Sequence, residues 1–317
     1  TRSGSVTGVQ TCALPIYDFA CIAEPDQIPK ISQGVTTVIV GNCGLSLAPV
    51  EFKHEPIEPF NLLGPAAAYR YPRYRDYVAA VEAARPRVNV AALVGHTALR
   101  VAVMADYGRA ATGAEIERMR ASLGEALRLG AVGMSSGLFY APGYAANASE
   151  LIPLVREVAA AGGVYTTHIR NEYDGVAEAL REAFHTASQG GARLVISHHK
   201  CAGVKNWGRS GETLGMIDAA NEYQEVCLDC YPYTAGSSVI DPRLADSQIE
   251  ILINWSACYP QSGGRMLKDI AQEMGCDQRT AAAKLMPGGA SYFQIDERDM
   301  RSILAHPACM IGTDGRF

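Results

Sequence analysis

Seven times along this chain of 317 residues, a short run of β-branched or apolar residues gives way to a polar turn and then to a segment with helical spacing. The runs are 34–42, 88–96, 131–138, 163–170, 193–200, 225–233 and 308–315. Several are apolar at consecutive positions, as strands covered on both faces by helices tend to be. Parallel strands need a crossover, and a helix is the usual one, so the alternation predicts parallel βα units. Neither G-x-G-x-x-G after an early strand nor G-x-x-x-x-G-K-[ST] occurs, which removes the usual signature of the nucleotide-binding open sheets. The expected fold class is therefore α/β, a TIM-like (β/α) barrel that is incomplete, with one strand missing. At about 150 residues per domain the length would allow two domains, but such a barrel uses about 250 as one.

Helix punctuation supports this division. Thr112 and Glu115 read as a capping box, Ile116, Met119, Leu123 and Leu127 share one face, and Gly130 closes the segment. Ser149 precedes a second periodic stretch that ends at Gly162-Gly163. Residues 237–291, with Trp255, Pro260 and Gly263-Gly264, break the rhythm and read as a long insertion over the C-terminal mouth of the barrel. Residues 6–16, VTGVQTCALPI, look like the translation of a sequencing-library adapter. Residues 1–16, Cys12 included, are accordingly set aside as non-native, leaving 17–317 as the partial catalytic barrel.

Composition excludes several function classes. Apolar residues are 48% and charged residues 19% of the chain, which rules out a disordered or fibrous protein. A net charge of -5 without a run of Lys and Arg argues against nucleic acid or an anionic membrane surface as partner. The chain shows neither an apolar stretch of the ~18 to 20 residues that cross a bilayer nor a secretory signal pattern. Nine cysteines, an odd number at irregular spacing, point to reduced thiols and so to a cytoplasmic location; the expected partner is a small-molecule substrate.

Residues able to bind a metal share one structural address. Cys43 follows the first run, His168 lies near the end of the fourth, His198 and His199 end the fifth, and Asp314 ends the last. In a βα barrel the C-terminal strand ends converge on one mouth. Thiolate plus imidazole suits Zn²⁺, whose catalytic sites hold about three protein ligands and keep a position open. Each residue taken alone has a plainer reading: a buried small apolar thiol, a packed histidine, an Asp-Gly turn. Their coincidence at one end of one barrel favours the site. Successive side chains on a strand alternate, so one of His198 and His199 is the ligand candidate and the other packs elsewhere. By the same alternation one of Tyr231 and Tyr233 faces the mouth. Arg170 and Glu172 are either partners that orient His168 or a surface pair.

The ordered set Gly34-Val35-Thr36-Thr37-Val38, Gly41-Asn42-Cys43-Gly44, Val94-Gly95-His96-Thr97, Gly137-Leu138-Phe139-Tyr140, Thr167-His168-Ile169-Arg170, Ile196-Ser197-His198-His199-Lys200, Asp229-Cys230-Tyr231-Pro232-Tyr233 and Ile311-Gly312-Thr313-Asp314-Gly315 resembles the N-acyl-D-amino-acid deacylases (D-aminoacylases) of the amidohydrolase superfamily. The resemblance runs in register from about Asp18 to Gly315. It implies a zinc-dependent hydrolase that converts N-acyl-D-amino acids to a D-amino acid and a carboxylate. It also implies Cys43, His168 and His198 as metal ligands and Asp314 as the catalytic carboxylate. Lys200 and Tyr231 match positions that hold the substrate carboxylate, and Phe139 and Tyr140 match the wall of the acyl or side-chain pocket.

The sequence departs from the family at both ends. The family's opening strand carries an H-x-H pair, ligands of a second, weaker metal position, where the adapter-like residues stand here. Its final helix, a further carboxylate-binding arginine and a small β-domain have no counterpart in the sequence. These departures read as a fragment and predict little or no activity of this chain itself. The rival readings are a cyclic-amide amidohydrolase of the hydantoinase or dihydropyrimidinase kind, against which Cys43 in G-N-C-G argues, and an inert truncated module.

Overall fold

The computed structural model describes residues 12–13, 19–245 and 248–314. Each of the seven runs contains a strand: β1 (Thr37–Val40), β2 (Asn89–Gly95), β3 (Gly133–Gly137), β4 (Val164–His168), β5 (Arg193–Ile196) and β6 (Val226–Cys230), then β7 (Gly236–Val239), β8 (Glu250–Ser256), β9 (Arg265–Met266) and β10 (Gly288–Phe293) of the insertion, and finally β11 (Cys309–Ile311). Strands β1 to β6 and β11 pair in parallel in that order, so the chain forms an incomplete TIM-like barrel. The expectation of a missing strand needs one addition: Cys12–Ala13 pair in parallel with Thr37 and Val38 beside β1. The rest of the segment set aside, residues 1–11 and 14–16, lies outside the described residues, as does Gly315.

Helices α1 (Tyr74–Ala84), α2 (His96–Val103), α3 (Gly113–Arg128), α4 (Ala148–Ala160), α5 (Val176–Gly190) and α6 (Ser210–Asn221) fall between the strands, α7 (Leu267–Glu273) and α8 (Gln278–Leu285) belong to the insertion, and α9 (Glu297–Leu304) precedes β11. The Thr112–Glu115 capping box opens α3, with Met119 and Leu123 buried on the face it directs inward. At α4 the sequence reading needs correction. The cap is Asn147, whose side chain accepts from the Glu150 amide, while Ser149 lies inside the helix and donates to Asn147 Oδ1 at 2.6 Å. Asparagine caps as well as serine, and its position two residues earlier lets it reach the free amide.

The insertion is more than a loop. It is an antiparallel sheet in the order β7-β10-β8-β9, with Ile251, Ile253 and Tyr292 packed on Leu267, Ile270, Ala281 and Leu285 of α7 and α8 in a second core. Among the described residues no helix is long and apolar enough to cross a membrane.

Candidate metal centre

The turn after β1 carries Cys43 into the barrel mouth at φ +53°, between Gly41 and Gly44, which also have positive φ. A Cβ on Gly41 would lie 2.1 Å from the Leu93 carbonyl oxygen, and one on Gly44 would lie 2.6 Å from both the Gly137 nitrogen and Thr97 Oγ1. Glycine is therefore required at both places, for its conformation and for the closeness of β2 and β3. Asn42 fastens the turn to the neighbouring strand ends, accepting from Thr166 Oγ1 at 2.9 Å and Ser197 Oγ at 3.1 Å. The Gly44 amide donates to Ser135 Oγ at 3.0 Å. A polar layer of hydrogen-bonded hydroxyls inside the barrel thus holds the cysteine in place.

His168 closes β4, and His198 follows β5 at φ +39°. A non-glycine residue in that conformation stores strain of order 1–3 kcal/mol. Asp229 at the end of β6 holds it there: Oδ1 accepts from the His198 amide at 3.0 Å and its carbonyl from the His199 amide at 2.7 Å. The two histidines diverge. His198 Nε2 lies 3.1 Å from Cys43 Sγ, whereas His199 Nε2 meets Thr213 Oγ1 of α6 at 2.9 Å. Cys43, His168 and His198 offer three donor atoms that lie within 4.8 Å of one another, all buried. The His168 and His198 rings meet edge to face with centroids 4.4 Å apart.

Of Arg170 and Glu172, only the second belongs to the site. Arg170 turns away to Glu182, at 2.6 and 2.8 Å. Glu172 is buried, with Oε1 2.6 Å from Lys200 Nζ and 3.0 Å from His198 Nδ1, and Oε2 3.6 Å from His168 Nε2. Burial alone would push the Glu172 carboxyl up; the Lys200 ammonium and the imidazoles outweigh it and hold the group well below the usual carboxylate range. Phe139 stacks on His168 at 5.4 Å and Tyr140 meets the same ring at 5.1 Å. Lys200 Nζ lies 5.5 Å from the centre of the Tyr231 ring. Asp314, at φ +39° beyond β11, lines the same cavity as Cys43, His168, His198, Lys200 and Tyr231.

The alternation expected for Tyr231 and Tyr233 is corrected by the structure. Alternation separates neighbours in sequence, whereas residues two apart share a face, and the two rings accordingly stack with centroids 6.0 Å apart. Tyr231 is buried and Tyr233 exposed. The insertion also contributes to the cavity, which sequence reasoning did not specify: Gln294 Oε1 accepts from the Tyr173 hydroxyl at 2.8 Å, and Ser237, Ser238 and Tyr292 line the wall.

The donor set fits a divalent cation. Both His168 ring nitrogens are buried without a hydrogen-bond partner, although buried imidazole nitrogens are normally satisfied. Burial pushes His168 well below its ordinary value, keeping it in the neutral form that ligates metals. The Cys43 thiol is pushed up by burial, with His198 opposing, and a bound cation is what turns such a thiol into a thiolate.

No family model matches the sequence. The chain is 46% identical over 299 residues to the N-acyl-D-aspartate deacylase of Alcaligenes xylosoxydans xylosoxydans, covering 94% of this chain and 60% of that protein. It is 44% identical over 298 residues to the D-aminoacylase of the same organism, covering 94% and 61%. The crystal structure of D-aminoacylase, described as defining a novel subset of amidohydrolases, superposes with a TM-score of 0.92 at 44% identity, over 96% of this chain and 64% of that one. In sequence and in fold the chain matches the D-aminoacylase family of amidohydrolases over 94–96% of its own length. A second family structure, the N-acyl-D-glutamate deacylase of Bordetella bronchiseptica with zinc and a phosphonate that mimics the tetrahedral intermediate, superposes with a TM-score of 0.91 at 45% identity, over 96% and 64%. The chain spans about 60% of the length of these curated family members.

Proposed function

We propose that the barrel mouth is a zinc site for hydrolysing the amide bond of N-acyl-D-amino acids. The observation that carries the reading is the convergence of Cys43, His168 and His198 from three separate strand ends, with both His168 nitrogens left unpartnered by the protein. The relatives support the substrate class by what they are named to act on, and one solved relative contains zinc. Cys43, His168 and His198 would hold the ion, which in such a site supplies Lewis acidity and makes water nucleophilic near neutral pH.

The chain's own residues do the rest. Asp314 is the general base that takes a proton from the attacking water and passes it to the amide nitrogen, which must leave protonated. The Lys200 ammonium and the Tyr231 hydroxyl, the latter buried without a partner, bind the α-carboxylate and so fix which face of the chiral centre meets the attack. Phe139 and Tyr140 wall the pocket for the acyl group or side chain. The eight described cysteines are free thiols, which supports a cytoplasmic setting.

The test is turnover by the zinc-loaded protein of N-acetyl-D-amino acids, their L-enantiomers and a hydantoin. Metal-dependent release of the D-amino acid, slow but selective over both alternatives, is expected. Ring opening of the hydantoin without D-selective deacylation would replace this reading with the cyclic-amide one, and zinc-loaded protein that neither turns over nor binds any of the three would refute both.

A further inference from the structure

One buried carboxylate in this site has no role in the reaction just described. Glu172 lies four residues beyond His168, past the end of β4, and is 6% exposed. A carboxylate buried to that extent costs several kcal/mol unless partners compensate it. Its partners are two groups brought by the turn after β5: Lys200 Nζ at 2.6 Å and His198 Nδ1 at 3.0 Å, both meeting Oε1. The distance from Oε2 to His168, 3.6 Å, is too long for a hydrogen bond, so the carboxylate engages one of the two histidines.

That choice has a chemical consequence. With a metal ion on Nε2, which faces Cys43 at 3.1 Å, the hydrogen of His198 sits on Nδ1, and of the two groups 3.0 Å from Nδ1, Lys200 Nζ and Glu172 Oε1, only the carboxylate can accept it. Lys200 Nζ lies within hydrogen-bond distance of both, 2.6 Å from Glu172 Oε1 and 3.0 Å from that Nδ1. The Lys200 side chain is the counter-charge that compensates the buried carboxylate, and the carboxylate keeps the imidazole oriented. His198 sits at a strained φ, so its ring depends on such an anchor more than His168 does.

We propose that Glu172 is the positioning residue that sets the tautomer and orientation of His198 for the metal, with Lys200 as its counter-charge. The proposal rests on the zinc-site reading above. Removing an outer partner of this kind typically lowers metal affinity 10- to 100-fold.

The experiment is zinc affinity by competition with a chromophoric chelator, using the whole chain. The variants are Glu172→Gln, Glu172→Asp, Lys200→Met and the double variant Glu172→Gln/Lys200→Met. The double variant removes the buried ion pair as a unit, a change that folded proteins tolerate better than loss of one partner. Affinity is expected to fall about 10- to 100-fold in Glu172→Gln and in the double variant, to recover partly in Glu172→Asp, and to fall less in Lys200→Met. In histidine-labelled, zinc-loaded protein, the hydrogen-bonded Nδ1 proton of His198 should be visible by NMR and lost in the double variant. Affinity within about threefold of wild type in the double variant, or an unchanged Nδ1 proton, would overturn the proposal while leaving the zinc site intact. Wild-type protein that binds no zinc would instead overturn the reading beneath it.

Discussion

Two buried ionic clusters stand at the strand ends, each pairing a glutamate with histidine and a basic side chain, and only one of them is closed. Glu150 of α4 accepts from His96 Nε2 at 2.8 Å, from Arg100 at 2.5 and 2.6 Å, and from the Ala111 amide at 2.8 Å. Arg100 donates further to the carbonyls of Pro142 at 2.6 Å, Tyr107 at 3.2 Å and Arg109 at 2.7 Å. Apart from His96 Nδ1, nothing in that cluster is bare. Around Cys43 the account differs: both nitrogens of His168, the Tyr231 hydroxyl and Asp229 Oδ2 are all buried without partners, and burial pushes the Asp229 carboxyl up to about 6 against the pull of His198. Burial and charge alone therefore do not distinguish a site from a brace. Polar atoms that the protein leaves unsatisfied do, because folding alone gives no return for them.

The comparison is broken most severely by Arg100→Met. It strands Glu150 as an uncompensated buried charge and should destabilise the fold by about 3–5 kcal/mol in denaturant titrations, while the folded fraction keeps its zinc. A loss below about 1 kcal/mol would show that the closed cluster is not the brace described. His168→Leu should do the reverse. Zinc affinity should fall by more than the roughly 10- to 100-fold typical of losing an outer partner. Stability of the metal-free protein should hold or rise, since an apolar group of similar size replaces two unsatisfied nitrogens. A metal-free variant destabilised by several kcal/mol would place His168 among the structural residues.

The smallest effect is one of pH. Burial alone would push Glu150 up, but bonds to His96, Arg100 and Ala111 bring it down to about 2 from an ordinary 4.5. The folded state thus holds this proton more weakly than the unfolded state. The resulting stability is fully present above about pH 4.5 and is lost as pH falls through the range to about 2. An acid-unfolding curve should show this slope and Glu150→Gln should flatten it; an unchanged slope in the variant would assign acid sensitivity elsewhere.

The barrel was legible because its signal is local and repeated: apolar or β-branched runs such as Asn89–Gly95, and helical periodicity after them such as that opened by the Thr112–Glu115 capping box, identify βα units without knowledge of their packing. The insertion was legible only as an interruption. Its sheet depends on pairing Glu250–Ser256 with Gly288–Phe293, more than thirty residues later, and no local pattern specifies that register. The metal residues could be read because strand ends in a barrel share an address. Glu172 could not be resolved from Arg170, since the loop after β4 sends one inward to Lys200 and the other outward to Glu182. Tyr231 and Tyr233 share a face, as residues two apart do, and it is their depth that differs: Tyr231 is buried in the cavity and Tyr233 is exposed.

The central claim is that three strand ends deliver one metal site. Its most direct test is zinc content by elemental analysis after purification, for the wild-type chain and for Cys43→Ala. About one zinc per chain in the wild type, absent from the variant, is the predicted result. A zinc-free wild type, or equal zinc in both proteins, would contradict it.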